Sequence, residues 1–268
     1  MLTVFQGFFV IVSMLVPGVS GSTMMIVFGI YDRTLTILSA WSKGKFIEKP
    51  FIFKLILGGL IGLLGFSYVM IYLLNYHGYW MGFFFTGVIL SGLIFIARQV
   101  DWKTINTSSW LFFILGFSLA IWMDFSPRIS LMVYGGVWYE KLVMVFVAGV
   151  VIAVALILPG ISASYMLLIM GLYDRLLEAL VHFHIQVLGP LALGIVLGGL
   201  LTVRLLTWLM ESYPGPTYLV IMGFVLGSLP ILFPSFPMPG QVGFALLWFM
   251  AGVGLILLLH QLSQKDML

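Results

Sequence analysis

The chain has 268 residues, 62% of them hydrophobic and only 8% charged, with a mean hydropathy of +1.18. Soluble domains carry roughly 45–50% apolar and about 25% charged residues, so a water-soluble globule is excluded and an integral membrane protein is implied. The net charge of +3 comes from 12 Lys and Arg, most of them beside hydrophobic segments, which is a topology signal and no nucleic-acid surface. With no cysteine and four scattered histidines, disulfides and thiolate sites are excluded, and neither a metal nor a cofactor is expected.

The apolar runs are long and continuous, so the expected crossings are helices of about 20 residues. The amino terminus lacks a basic stretch and a cleavage site and reads as uncleaved. Residues 2–16 are too short to cross comfortably and end in Pro17-Gly18, a helix breaker. Ser20, Ser22 and Thr23 then offer N-cap oxygens to a second short helix ending near Gly29. This pattern predicts a re-entrant hairpin over 2–31, with a kinked or paired transmembrane hairpin as the alternative. A charged loop follows, and spans are predicted at about 52–74, 79–97 and 109–123, with a turn at Asn75-Tyr76-His77-Gly78 between the first two. After a linker over 125–140, the second half repeats the plan with a hairpin at 142–172 and spans at about 185–210, 216–233 and 242–260.

The repetition is visible residue by residue. Pro17-Gly18-Val19-Ser20-Gly21-Ser22-Thr23, running on to Tyr31-Asp32-Arg33, returns 142 residues later as Pro159-Gly160-Ile161-Ser162-Ala163-Ser164-Tyr165, running on to Tyr173-Asp174-Arg175. Gly58-Gly59-Leu60 is matched to Gly198-Gly199-Leu200, and Gly87 with Ser91 to Gly223 with Gly227. Small residues four apart let helices approach closely, and these pairs read as packing. A hairpin returns to its own side and three spans do not, so the repeats over 1–124 and 141–268 are expected to be inverted. The amino-terminal side then receives nine of the twelve basic residues, among them Arg33, Lys45, Arg98, Lys103 and Arg204. The positive-inside rule makes that side cytoplasmic, with both termini on it.

Inverted repeats with broken helices are the architecture of secondary transporters, whose site lies near the midplane between the halves. The expected binding residues are those of the two breaks: Gly18, Ser20, Gly21, Ser22 and Thr23 from the first, Gly160, Ser162 and Ser164 from the second. Free N–H groups and hydroxyls together favour an anion, phosphate above all; the alternative is that the hydroxyls only cap helices. Asp32, Arg33, Asp174 and Arg175 lie too far along the chain to reach the breaks, and they suit either local pairing or capture of a headgroup at each surface. Arg204 is the one basic residue well inside a span and, with Tyr165, is a candidate for lining the path.

On these motifs, and over essentially its whole length, the chain resembles the bacterial polyprenyl-phosphate transporter family. The resemblance implies translocation of undecaprenyl phosphate, a lipid carrier of cell-wall synthesis, from the outer to the cytoplasmic leaflet of the plasma membrane. Proton or potential coupling and oligomeric state stay open. Two departures matter: Ser13-Met14-Leu15-Val16 holds no acid before the first Pro-Gly, where the family commonly carries one, and Ala163 stands where Gly is usual. Undecaprenyl pyrophosphate phosphatase has a similar build, but it needs an arginine in the Pro-Gly-x-Ser motif. Gly21 and Ala163 occupy that position, and residues 1–16 and 142–158 contain no acid, which disfavours hydrolysis. A carrier of a small soluble anion remains an alternative, although the spans offer few polar groups to a hydrophilic path, and so does a scaffold without transport.

Overall fold

A computed structural model of the protein describes residues 1–14, 19–125 and 138–265. Pro17 and Gly18, and most of the linker, lie outside the described residues. The described chain is helical, without strands: α1 (Leu2–Met14), α2 (Gly21–Val27), α3 (Tyr31–Ser42), α4 (Lys49–Gln99), α5 (Trp110–Phe125), α6 (Trp138–Ile157), α7 (Ala163–Ile169), α8 (Tyr173–Val181), α9 (Ile185–Ser212), α10 (Pro214–Gly227), α11 (Leu229–Leu232) and α12 (Val242–Lys265). Four segments are long and apolar enough to cross a bilayer: Lys49–Met70, Tyr72–Gln99, Ile185–Ser212 and Pro239–Leu259. The protein is therefore a multi-pass membrane protein. The spans predicted at 109–123 and 216–233 fall on α5 and on α10 with α11, shorter apolar helices.

The short helices end where the backbone chemistry requires. Ser20 adopts an extended conformation and its side chain accepts the Thr23 N–H, starting α2. Gly29 closes α2 at φ +66°, a left-handed conformation that glycine adopts freely, and the next N–H, that of Ile30, returns to the Met25 carbonyl at 3.0 Å. The same stop recurs at the end of α7, where Gly171 lies at φ +67° and Leu172 N–H reaches the Leu167 carbonyl at 3.0 Å.

Between the first two predicted spans there is no open turn. The helix runs on from Lys49 to Gln99 and leaves helical geometry at one residue, His77, with φ −130° and ψ 18°. Phe66 and Phe85 line one cavity, although in a straight helix 19 residues would separate them by about 28 Å, so α4 doubles back at His77. Tyr213 breaks α9 from α10 in the same way, at φ −137° and ψ 59°. One non-helical residue leaves very few backbone groups unbonded, as a lipid environment demands.

Glycine contacts set the register of the halves. A Cβ on Gly58 would stand 1.8 Å from the Val4 carbonyl oxygen, and one on Gly194 would stand 2.1 Å from that of Phe146. Gly7 and Gly149 meet the Leu55 and Leu191 carbonyls in the same paired fashion, so α1 packs on the first arm of α4 as α6 packs on α9. The later helices exchange partners: Gly87 abuts Phe249 of α12, and Gly223 abuts Phe113 of α5. By these contacts Gly58 corresponds to Gly194, and Gly62 to Gly198, one turn away from the match of Gly58 with Gly198 made on sequence. Both α3 and its connection to α4 are longer than α8 and its connection to α9, which together shorten the offset from 142 to 136. Gly58→Val is expected to force α1 off α4 at an overpacking cost of about 1–3 kcal/mol, read as a lower unfolding temperature in detergent. Gly65, with nothing within 4 Å of its would-be Cβ, should accept Ala without loss.

Candidate functional site

The two breaks meet. Ser20 Oγ lies 2.6 Å from Thr23 Oγ1 and 3.2 Å from Ser22 Oγ, and all three residues are buried. The Gly160 N–H donates to Ser20 Oγ at 3.1 Å and to Thr23 Oγ1 at 2.9 Å, while Ser22 Oγ donates to the Leu158 carbonyl at 3.1 Å. Tyr31 adds a bond from its hydroxyl to the Ile157 carbonyl at 2.9 Å. The first break therefore supplies the hydroxyls and the second supplies the backbone groups they bind, with α6 ending in carbonyls that need donors. The Gly160 N–H, expected from sequence to be free, is already engaged. An amide shielded from water without a partner costs up to about 1–3 kcal/mol, and for the part-buried Gly160 N–H these hydroxyls are the partners.

Gly160 is at φ +84°, and a Cβ there would stand 2.6 Å from the Phe224 carbonyl carbon and oxygen. The second break is thus pressed against the backbone of α10. Gly21 opens α2, and a Cβ there would meet the flexible Met14 side chain, with Sδ at 2.7 Å. Ser162 adjoins α7, and its carbonyl accepts the Met166 N–H at 3.0 Å. The side chains of Ser164, Tyr165 and Asp174 lie outside the described residues.

Beside the cluster, Asp32, Arg98, Gln99, Tyr31 and Tyr218 line a cavity of about 230 Å³, floored by Ile26 and Val27 of α2. The Tyr218 hydroxyl donates to Asp32 Oδ2 at 3.2 Å. Burial pushes the Asp32 carboxyl above the usual carboxylate range, and the Tyr218 hydrogen bond opposes that shift. Asp32 sits in the first turn of α3, outside the long apolar helices. Its ionisation is disfavoured in the folded protein, so the stability it contributes is complete below the ordinary carboxylate range and is lost as pH rises through the raised value. Asp32 is exposed, so solvent screening keeps the effect small: Asp32→Asn is expected to raise the unfolding temperature slightly at pH 8 and leave it unchanged at pH 3, checked by thermal unfolding in detergent at both values. Arg98, Gln99 and Tyr218 were not picked out from sequence. Arg98 ends a span and reads there as a topology charge, while Tyr218 sits in an apolar run without a polar neighbour pattern.

Two sequence candidates stand elsewhere. Arg33 turns away from this cavity: it binds Glu48 through Nε and Nη2 at 2.8 and 2.6 Å and stacks on the Phe51 ring at 4.4 Å. Arg204 does not reach the hydroxyl cluster but donates to the hydroxyl and carbonyl of Ser42. Although Arg204 lies eight residues inside the end of α9, its long side chain reaches polar acceptors, and here these are at the carbonyl end of α3, where a cation is favoured. Arg175 lies in the first turn of α8, in the second half's counterpart of α3.

The sequence pattern of the undecaprenyl phosphate translocase-like family matches residues 1–79 and 37–238 of this chain. A polyprenyl-phosphate transporter of Vibrio cholerae serotype O1 is 30% identical over 233 residues, covering 82% of this chain and 73% of its own length. A polyprenyl-phosphate transporter of Staphylococcus aureus is 28% identical over 252 residues, covering 88% of this chain and 87% of its own. No solved structure matches the chain. With the family pattern spanning most of its length and a relative at this identity, the chain belongs to the undecaprenyl phosphate translocase-like family.

Proposed function

We propose that the protein translocates undecaprenyl phosphate from the outer to the cytoplasmic leaflet, recycling the carrier lipid for wall-polymer synthesis. The observation that carries this reading is the meeting of the two Pro-Gly-x-Ser breaks, with Gly160 N–H on Ser20 and Thr23. A buried cluster of hydroxyls and backbone groups, close to a cavity holding Arg98, can replace the water around a phosphate as it crosses. Ser162 and Ser164, together with Gly18 and Gly21, complete the set that faces the headgroup. The hydroxyls now satisfy one another and the second break, so the phosphate binds by displacing those bonds as the breaks part. Arg33 captures or releases the headgroup at one surface by exchanging Glu48 for phosphate, and Arg175 serves the other. Capture has low cost there, since an exposed ion pair contributes only about 0–1 kcal/mol.

The two halves, 1–124 and 141–268, insert in opposite orientations. Supporting this are the repeated helix order, the repeated glycine stops and the exchanged packing of α4 with α12 and α5 with α10. The basic residues then place both termini in the cytoplasm, and cysteines introduced at positions 45 and 103 are expected to be labelled from the inside. Labelling from outside would overturn the orientation. The function itself is tested in vesicles carrying the purified protein: polyprenyl phosphate should exchange between leaflets much faster than ordinary phospholipid. Equal rates would reduce the protein to a general scramblase.

A further inference from the structure

A groove of about 580 Å³ runs between α5, α6, α9 and α10. Its wall is almost wholly apolar, because its two threonines turn their hydroxyls inward: Thr202 bonds the Gly198 carbonyl at 2.7 Å and Thr217 the Tyr213 carbonyl at 2.7 Å. Its inner end is formed by Leu158 and Phe224. The Leu158 carbonyl is the acceptor for Ser22, and the Phe224 backbone is what Gly160 presses against. The groove thus ends where the hydroxyl cluster begins.

The first half holds the counterpart of this groove, lined by α1, both arms of α4 and α12, with a volume of about 170 Å³. Most lining positions correspond, and the exchange of bulk is not uniform, since Phe224 of the open groove is matched by the smaller Val88. Thr202, Val220 and Ile221 are matched, 136 residues earlier, by Phe66, Phe84 and Phe85, and Phe112 is matched, 136 residues later, by Trp248. The same cleft is open in one half of the chain and filled by aromatic rings in the other. This difference is written in side chains and does not need a change of conformation.

We infer that the open groove holds the isoprenoid units adjoining the phosphate, so that the first part of the tail rides in the protein while the remainder stays in the bilayer. The inference rests on the hydroxyl cluster taking the phosphate. A tail leaving lipid for protein gains no hydrophobic energy, since the bilayer is as apolar as the groove; the groove acts by shape and by dispersion contacts. The methyl branch and fixed double bond of each isoprene unit give the tail a shape that a groove can tell from a straight acyl chain by close contact. In the orientation proposed above, the open groove lies in the cytoplasmic half of the membrane and the filled one in the outer half. The tail is therefore held on the side to which the lipid is delivered.

The test uses the full-length protein in vesicles with two probes, a long-chain polyprenyl phosphate and a soluble five-carbon prenyl phosphate. Thr202→Phe with Val220→Phe copies the filled groove into the open one. It is expected to slow long-chain exchange at least about tenfold while the short probe still binds. The reverse changes in the counterpart, Phe66→Thr with Phe84→Val, should leave exchange within about twofold. Long-chain exchange at the wild-type rate in the filled variant would overturn the inference. A photoreactive group on the second isoprene unit gives a readout that needs no variant: crosslinks to α9 and α10 support the groove, and crosslinks to α1, α4 and α12 refute it. A wild-type protein that moves no polyprenyl phosphate would instead remove the functional reading beneath the inference, which the wild-type arm shows by itself.

Discussion

Gly160→Ala is expected to be strongly destabilising, because it combines backbone strain with a backbone clash. The residue lies at φ +84°, and its would-be Cβ stands 2.6 Å from the Phe224 carbonyl and 2.9 Å from the Val225 nitrogen. A side chain there meets left-handed strain of about 1–3 kcal/mol and overpacking of about 1–3 kcal/mol against a backbone that cannot rotate away. The sum, roughly 2–6 kcal/mol, is comparable to the whole stability margin of many proteins. The measurement is thermal unfolding in detergent together with recovery of folded protein after extraction. Gly21→Ala is the natural control, because its neighbour is the flexible end of Met14, and it should fold like the wild type.

The second large effect is expected from Ser20→Ala combined with Thr23→Ala. This pair removes the N-cap of α2, worth about 1 kcal/mol, and both acceptors of the part-buried Gly160 N–H, worth about 1–3 kcal/mol. Unfolding in detergent should report a combined loss of roughly 2–4 kcal/mol. Thr23→Val, which keeps the shape and leaves Ser20 as an acceptor, should lose less than half of that. Equal losses would show that Thr23 alone holds the second break. Because these hydroxyls hold the fold as well as facing the proposed headgroup, every exchange measurement on them needs an unfolding measurement on the same sample. Ser20→Ala with Ser162→Ala is accordingly expected to lower both quantities, with exchange falling further than stability explains.

Much of the architecture is legible in the sequence because lipid leaves few choices. Long apolar runs must be helices, and Pro-Gly interrupts them wherever it falls. The duplication at 142 residues was readable because Gly29 and Gly171 stop their helices by the same left-handed turn. The reversal between the first two spans falls at His77, inside the run Asn75 to Gly78 that reads as a turn, but it takes one residue where the composition suggests four. The match of Gly58 to Gly198 failed because strings of glycine look alike one helical turn apart, and only the Val4 and Phe146 contacts tell the registers apart.

The candidate site was legible in its residue types and not in its bonding. Ser20, Ser22 and Thr23 were identifiable as N-cap residues, but their bonds to Gly160 and Leu158 join positions about 140 apart, which no local pattern encodes. For the same reason Tyr218 was missed: its partner Asp32 is 186 residues away. Arg33 and Arg204 were visible as charges in or near the membrane, and their partners Glu48 and Ser42 became evident only when α3 was placed.

The central claim is that the joined breaks carry a phosphate across the membrane and do not cut it. Purified protein in sealed vesicles loaded with polyprenyl phosphate and polyprenyl pyrophosphate tests this most directly, with leaflet exchange and released inorganic phosphate measured in the same sample. The expected result is rapid exchange of the monophosphate and no phosphate release above protein-free vesicles. Phosphate release without exchange would contradict it.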